Sequence, residues 1–164
     1  MHVTSTSSHS AVAMHDQALV NRKLPKELLL RIFSYLDIVS LCRCAQVCKS
    51  WSKLALDGSN WQRVNLFQFQ KDVKGSVIES LAKRCGGFLK ELSLFGCENV
   101  QDGALRIFAE KCNCIEKLDL RKCRRITDLT CKSLAMHCKR LRHLNLECCS
   151  EISDECLKSL RLEL

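Results

Sequence analysis

The sequence predicts an α plus α/β solenoid chain: a compact trio of helices over residues 24–66, then a short stack of strand–helix coils over residues 67–164. Three observations predict it. A 26-residue pattern recurs three times between residues 92 and 160. Apolar residues return at three- and four-residue spacing between residues 24 and 55, the period of an amphipathic helix. The cluster Asp57-Gly58-Ser59-Asn60 punctuates the chain between these two regimes.

The helical trio comes first along the chain. Leu24-Pro25-Lys26-Glu27 reads as a helix start, because proline is tolerated in the first turn and glutamate suits the dipole there. Leu28, Leu29, Ile32, Phe33 and Leu36 then follow at helical spacing. Asp37 is placed to cap a second helix carrying Val39, Leu41, Cys42, Ala45 and Val47. A third short helix holds Trp51, Leu54 and Ala55. A core of roughly 40 residues is marginal alone, so this trio is expected to lean on a partner or on the rest of the chain.

The repeats follow. Leu92-Ser93-Leu94-Phe95-Gly96-Cys97 aligns with Leu118-Asp119-Leu120-Arg121-Lys122-Cys123 and with Leu144-Asn145-Leu146-Glu147-Cys148-Cys149. Period-2 alternation predicts a short strand with both leucines inward. Val100/Asp102, Ile126/Asp128 and Ile152/Asp154 come next, each aspartate where a helix N-cap or first turn is expected. The pairs Leu105/Phe108, Cys131/Leu134 and Leu157/Leu160 give each helix a buried stripe. Val64-Asn65-Leu66 with Val73, Ile78 and Leu81 reads as a degenerate leading unit. One such coil cannot bury its apolar face alone, but a stack can.

The thirteen cysteines are odd in number and no secretion-type leader precedes them, so they read as reduced thiols of the cytosol or nucleus. Metal ligands and small core hydrophobes are the alternatives. The repeat decides: Cys85, Cys97, Cys112, Cys123, Cys131, Cys138 and Cys149 all fall at repeat-equivalent core positions. Cys42-x-Cys44, Cys112-x-Cys114 and Cys148-Cys149 lack the second paired knuckle of a structural zinc site, so no metal and no cofactor are expected.

Composition excludes several function classes. Aromatics at 5% argue against stacking platforms for nucleic acid. The net charge of +8 is spread out: residues 85–164 carry fourteen Lys/Arg against twelve Asp/Glu. No basic stripe forms beyond short clusters such as Arg121-Lys122-Cys123-Arg124-Arg125, so no nucleic-acid partner is expected. No apolar run approaches the roughly 18 residues of a membrane span. Met1–Asn21 has no apolar segment of signal-peptide type, and residues 1–23, rich in Ser, Thr and His, are expected to be a disordered leader. No cysteine stands four from the end, so no prenyl anchor is expected. The sequence holds no G-x-S-x-G, no H-E-x-x-H and no phosphate-cradling glycine loop. His137 beside Cys138, and His143 on a strand, have no orienting third group in sight, so no enzyme is expected.

Leu24-Pro25-x-Glu27-Leu28-Leu29-x-x-Ile32-Phe33-Ser34-Tyr35-Leu36-Asp37 resembles the opening of an F-box. Leu41-x-x-Cys44-x-x-Val47-Cys48-Lys49-x-Trp51-x-x-Leu54-Ala55, with Trp61, resembles its second half. The L-x-L-x-x-C…I-x-D-x-x-L unit resembles the cysteine-containing leucine-rich repeat. In this order, the two resemble the F-box/leucine-rich-repeat proteins. The resemblance implies a substrate-recognition adaptor of an SCF-type ubiquitin ligase, expected in the cytoplasm, with the nucleus as an alternative. Its F-box would bind the Skp adaptor and, through it, a cullin-RING core. Its repeats would bind an unknown protein substrate. The alternative is a scaffold or competitor that binds the Skp adaptor without a complete substrate-binding solenoid. Relatives of this type carry more repeats, and no polar cap follows Leu160-Arg161-Leu162-Glu163-Leu164, so a short or truncated form is expected.

Motif match carries Leu24, Pro25, Leu28, Leu36, Leu41, Val47 and Trp51 over as the adaptor-binding face. For substrate, the strands of such a solenoid line its concave face. Three rows of residues would then face outward: Glu91, Ser93 and Phe95; Lys117, Asp119 and Arg121; and His143, Asn145 and Glu147.

Overall fold

The computed structural model describes residues 19–163, without the side chains of Leu157 and of residues 161–163. Most of the leader, the Leu157 position of the third repeat stripe and the C-terminal Leu164 thus lie outside what is described. The chain divides into two compact units at the Asn60–Trp61 junction.

The first unit is helical: α1 (Leu19–Lys23), α2 (Lys26–Phe33), α3 (Ile38–Cys44) and α4 (Lys49–Ala55). Pro25 sits at the N-cap of α2, and Asp37 caps α3 by accepting from the Ser40 amide at 2.9 Å. That bond and the Ser40 hydroxyl hold the Asp37 carboxyl below its ordinary range. Cys48 caps α4, its sulfur accepting from the Trp51 amide at 3.5 Å. The core is Leu29, Phe33, Leu41, Leu54 and Ala55. Phe33 meets Trp51 edge to face, ring centroids 5.2 Å apart. The expectation of a disordered leader through residue 23 fails for its last five residues. They are helical, and Asn21 accepts from the Trp51 indole at 2.7 Å.

The second unit alternates strands and helices: β1 (Arg63–Asn65), α5 (Gly75–Cys85), β2 (Glu91–Ser93), α6 (Asp102–Lys111), β3 (Lys117–Asp119), α7 (Asp128–His137), β4 (His143–Asn145) and α8 (Asp154–Glu163). The strands form one parallel sheet in the order β1-β2-β3-β4, in unbroken 26-residue register from β2 onward. The predicted α plus α/β solenoid is borne out. The first strand, β1, pairs with β2 through Val64 and Leu92, and the second compact unit begins at Trp61.

The inward leucines and the helix stripes fill a continuous core: Leu92, Leu94, Leu105, Phe108, Leu118, Leu120 and Leu134 are all buried. Cysteines complete it in a more specific way than as small hydrophobes. The Cys123 thiol donates to the Leu94 carbonyl at 3.3 Å, and Cys149 to that of Leu120 at 3.0 Å. Each thiol thus gives a carbonyl of the preceding coil a second donor, beside the amide of Cys97 or Cys123 that it already accepts from, which apolar filler could not do. Burial pushes Cys112, Cys123 and Cys138 up to about 12.

One pair corrects the expectation of uniformly free thiols. Cys131 on α7 and Cys156 on α8 form a disulfide, Cα atoms 5.3 Å apart. They stand 25 residues apart, an offset that places facing residues of adjacent helices together. The aspartates use the same offset. Asp102 is the first residue of α6 rather than its cap. Its carboxylate accepts from the Thr127 amide at 2.9 Å and from the hydroxyls of Thr127 and Thr130 at 3.0 and 2.6 Å, all in the next coil. Asp128 does the same with Ser153, at 2.9 Å from its amide and 2.6 Å from its hydroxyl.

After each strand from β2 onward the turn needs one left-handed residue. Gly96 (φ 75°), Lys122 (φ 59°) and Cys148 (φ 60°) fill this one repeat position. Glycine takes that conformation freely, whereas Lys122 and Cys148 carry the cost of a Cβ there, about 1–2 kcal/mol each.

Candidate functional site

Two surfaces stand out, one in each unit. In the first, α2 splits its apolar residues between two faces. Leu29 and Phe33 point inward, while Leu28 (52% exposed), Ile32 (48%) and, beyond the helix end, Tyr35 (73%) form an outward stripe at i, i+4, i+7. Val47, after α3, is 47% exposed, and Pro25 is exposed as well. Arg31 lies 5.3 Å from the Tyr35 ring centroid. Outward apolar side chains grouped in this way are the kind of surface that contacts between proteins use.

The second surface is the outer face of the four-stranded sheet. An open trough of about 630 Å³ runs across all four strands. Register aligns Arg63, Glu91, Lys117 and His143 in one row and Asn65, Ser93, Asp119 and Asn145 in the next. Glu91 bridges its two neighbours, with Lys117 at 3.1 Å and Arg63 at 3.7 Å. Asp119 holds Arg121 through two side-chain bonds of 2.8 and 3.0 Å. The Arg121 guanidinium beside Asp119 holds its carboxyl below the ordinary range, against the opposing pull of burial. One Asp119 oxygen also accepts from the Arg121 amide, as Asn65 and Asn145 do from the amides of Phe67 and Glu147. These side chains close the turn after their strand, besides facing the trough.

Residues 22–66 match the F-box-like family model. Residues 111–135 and 137–162 match that of the Leucine Rich repeat. The chain belongs to the F-box/leucine-rich-repeat proteins. In such proteins these domains are typical of non-enzymatic adaptors. Among solved structures, the F-box/leucine-rich-repeat chain is similar in fold to one from the crystal structure of the Rad7 and Elc1 complex in yeast. The TM-score is 0.56 at 18% identity, covering 99% of this chain and 43% of that one. At that identity the likeness concerns fold alone.

Against this frame the residues singled out from sequence separate. In the F-box, Pro25, Leu28 and Val47 are exposed, and Leu24 and Leu36 are half-buried. Leu41 is 1% exposed, so its place on a docking face is corrected: it supports that face from beneath. Trp51 is half-buried, with its indole held by Asn21 and its ring against Phe33. Ile32 and Tyr35, absent from the expected adaptor set, are exposed. Their offsets of four and seven from Leu28 were the signal that could have found them.

In the repeats, Glu91, Ser93, Lys117, Asp119, His143 and Asn145 line the trough, while Phe95, Arg121 and Glu147 sit just past the strands. Sequence reasoning missed Arg63, Asn65 and Arg142, which also line it. The equivalence of residues 63–65 to β2 could have revealed the first two. Among the described residues no group of three or more His, Cys, Asp or Glu is placed to hold a metal, and no helix is long and apolar enough to cross a membrane.

Proposed function

We propose that this protein is the non-catalytic substrate-recognition subunit of an SCF-type ubiquitin ligase, acting in the cytoplasm and nucleus. Its F-box docks on a Skp-type adaptor that connects it to a cullin-RING core, and its repeats hold a protein substrate on the sheet face. The observation that carries this reading is the outward stripe of Leu28, Ile32 and Tyr35 on a helical domain of the F-box family. A domain this small does not gain by leaving three large apolar side chains in water unless a partner covers them. The occurrence of a similar fold in an assembly with a second protein, Elc1, supports the adaptor half of the reading.

The mechanism is one of positioning. Ubiquitin transfer is the work of other subunits, and this chain shortens the search by raising the local concentration of substrate. The test is co-purification with a Skp-type adaptor, followed by in-vitro ubiquitination with the cullin-RING core. A one-to-one complex of nanomolar to low-micromolar affinity is expected. Cross-linking from position 119 in cells should capture a protein that becomes ubiquitinated in the assay. No complex with the adaptor defeats the proposal. A complex with no captured substrate leaves the chain a scaffold.

A further inference from the structure

Phe67, Phe95, Arg121 and Glu147 occupy one repeat position, two residues past the strand, in four successive coils. The rings of Phe67 and Phe95 stack 5.0 Å apart with their planes 7° from parallel. The Arg121 guanidinium lies 4.7 Å from the Phe95 centroid and the Lys122 ammonium 5.4 Å. Asp119 grips two nitrogens of Arg121 and so fixes its plane, leaving Nη1 without a hydrogen bond among the described residues. Phe67 is exposed, and Phe95 and Arg121 are half-buried. The result is a rigid platform, apolar at one end and cationic at the other.

We infer that this platform is the primary contact for a protein segment carrying an apolar side chain and, about three residues away, an acidic one. The inference rests on the reading of the repeats as the substrate-holding half and names the class of substrate. Spacing sets the first requirement. Adjacent parallel strands lie roughly 5 Å apart, so two coil steps from Phe67 to Arg121 span about 10 Å, or about three residues of extended chain. Charge sets the second. Lys71 and Lys122 are exposed and form no salt bridge among the described residues, while Arg124 is shared with Glu98 at 3.7 Å. Phe67 and Arg121 cover the two faces of Phe95, so an apolar side chain lies along the ring edges and the outer face of Phe67, where edge-to-face and stacking contacts favour an aromatic one. The acid reaches Lys122, since Arg121 is already held by Asp119 and faces Glu147. Glu147, one coil further, repels an acid placed there and so fixes the direction in which the charge lies.

The probe is a phage-displayed library of random dodecapeptides, selected on the full chain and followed by anisotropy of the enriched sequences as labelled peptides. Lys122→Asn removes the charge with a residue that tolerates its left-handed backbone, so the fold is retained. Enriched peptides are expected to pair an apolar residue with Asp or Glu two to four positions away. Binding should weaken at least about tenfold in Phe95→Ala. It should weaken about two- to fivefold in Lys122→Asn, and fall as salt rises. Enrichment of any other pattern, or affinity untouched by both variants, overturns the inference. If those peptides instead respond to Lys117→Ala or His143→Ala, the substrate-face reading survives it. If no peptide is retained, the inference falls, and cross-linking from position 119 then decides the wider reading by itself.

Discussion

Helices α2 and α6 are both short and amphipathic, yet they distribute their apolar residues in opposite ways. On α6, Ala104, Leu105, Phe108 and Ala109 are all buried, and what faces outward is charged or polar, apart from half-buried Ile107. On α2 only Leu29 and Phe33 are buried, and Leu28 and Ile32 are exposed. The difference follows from what each unit supplies to itself. A repeat helix has the next coil beside it and is completed within the chain. The F-box helices have no second layer in their own unit, and Leu28, Ile32, Tyr35 and Val47 stay exposed there. Burial in the repeats is therefore stability, and the exposed F-box residues form the surface proposed to meet a partner.

Alkali gives the largest expected separation of the two. Cys112, Cys123 and Cys138 are raised by burial from 9.0 to about 12, so the native repeats keep these protons longer than the unfolded chain does. Their contribution is whole below pH 9 and is lost as pH climbs towards 12. The F-box has only Cys44 pushed up among the described residues, and it lies in a less buried place. Each unit holds one tryptophan, Trp51 and Trp61. In a Trp51→Phe variant the remaining fluorescence should report unfolding of the repeats between pH 9 and 12. In a Trp61→Phe variant the F-box signal should change later. Simultaneous transitions would break the contrast.

Next in size is Phe108→Ala, which should destabilise the repeats by about 3–5 kcal/mol in urea unfolding, since it empties a fully enclosed site. Leu28→Ala should cost less than about 0.5 kcal/mol in the same measurement, because its side chain is largely in water. Comparable losses would show that Leu28 is part of a core after all.

Asp102→Ala should cost about 1–3 kcal/mol, because it leaves the buried Thr130 hydroxyl without its acceptor. Adding Thr130→Val should recover part of the loss in thermal melts. Additive losses would mean the two side chains are not coupled.

The smallest effect is confined to binding. Leu28→Ala with Ile32→Ala should weaken the Skp-type adaptor at least about tenfold in calorimetry while leaving the melting temperature in place. A lowered melting temperature with unchanged affinity would reverse the assignment of this face.

How much of this was legible depends on the range of each interaction. The L-x-L strands, the cap at Asp37 and the buried cysteine positions follow from spacing within a few residues or from the 26-residue repeat itself. The same holds for the rows that line the trough, because a parallel register carries one strand's outward residues to the next. The adaptor face was harder to read. Leu28 and Leu29, or Ile32 and Phe33, look alike in a pattern of apolar spacing, and α2 is too short for the pattern to fix a face. Leu41, on the equally short α3, could be assigned to a docking face for the same reason although it is buried.

The sequence by itself determined the repeat, its register, the inward leucines and the family of each half. These rest on periodicity and, for the F-box, on a motif, both of which are read along the chain. Tertiary structure decided everything that passes from coil to coil: Asp102 reaching Thr127 and Thr130, Cys123 donating to Leu94, Cys131 joined to Cys156, and Phe67 stacking on Phe95 beneath Arg121. Those partners stand 25 to 29 residues apart where they are bonded. Which of several such offsets is in contact depends on how far each coil is rotated and displaced over the last. Packing of the whole core sets that rotation, and no single repeat contains it.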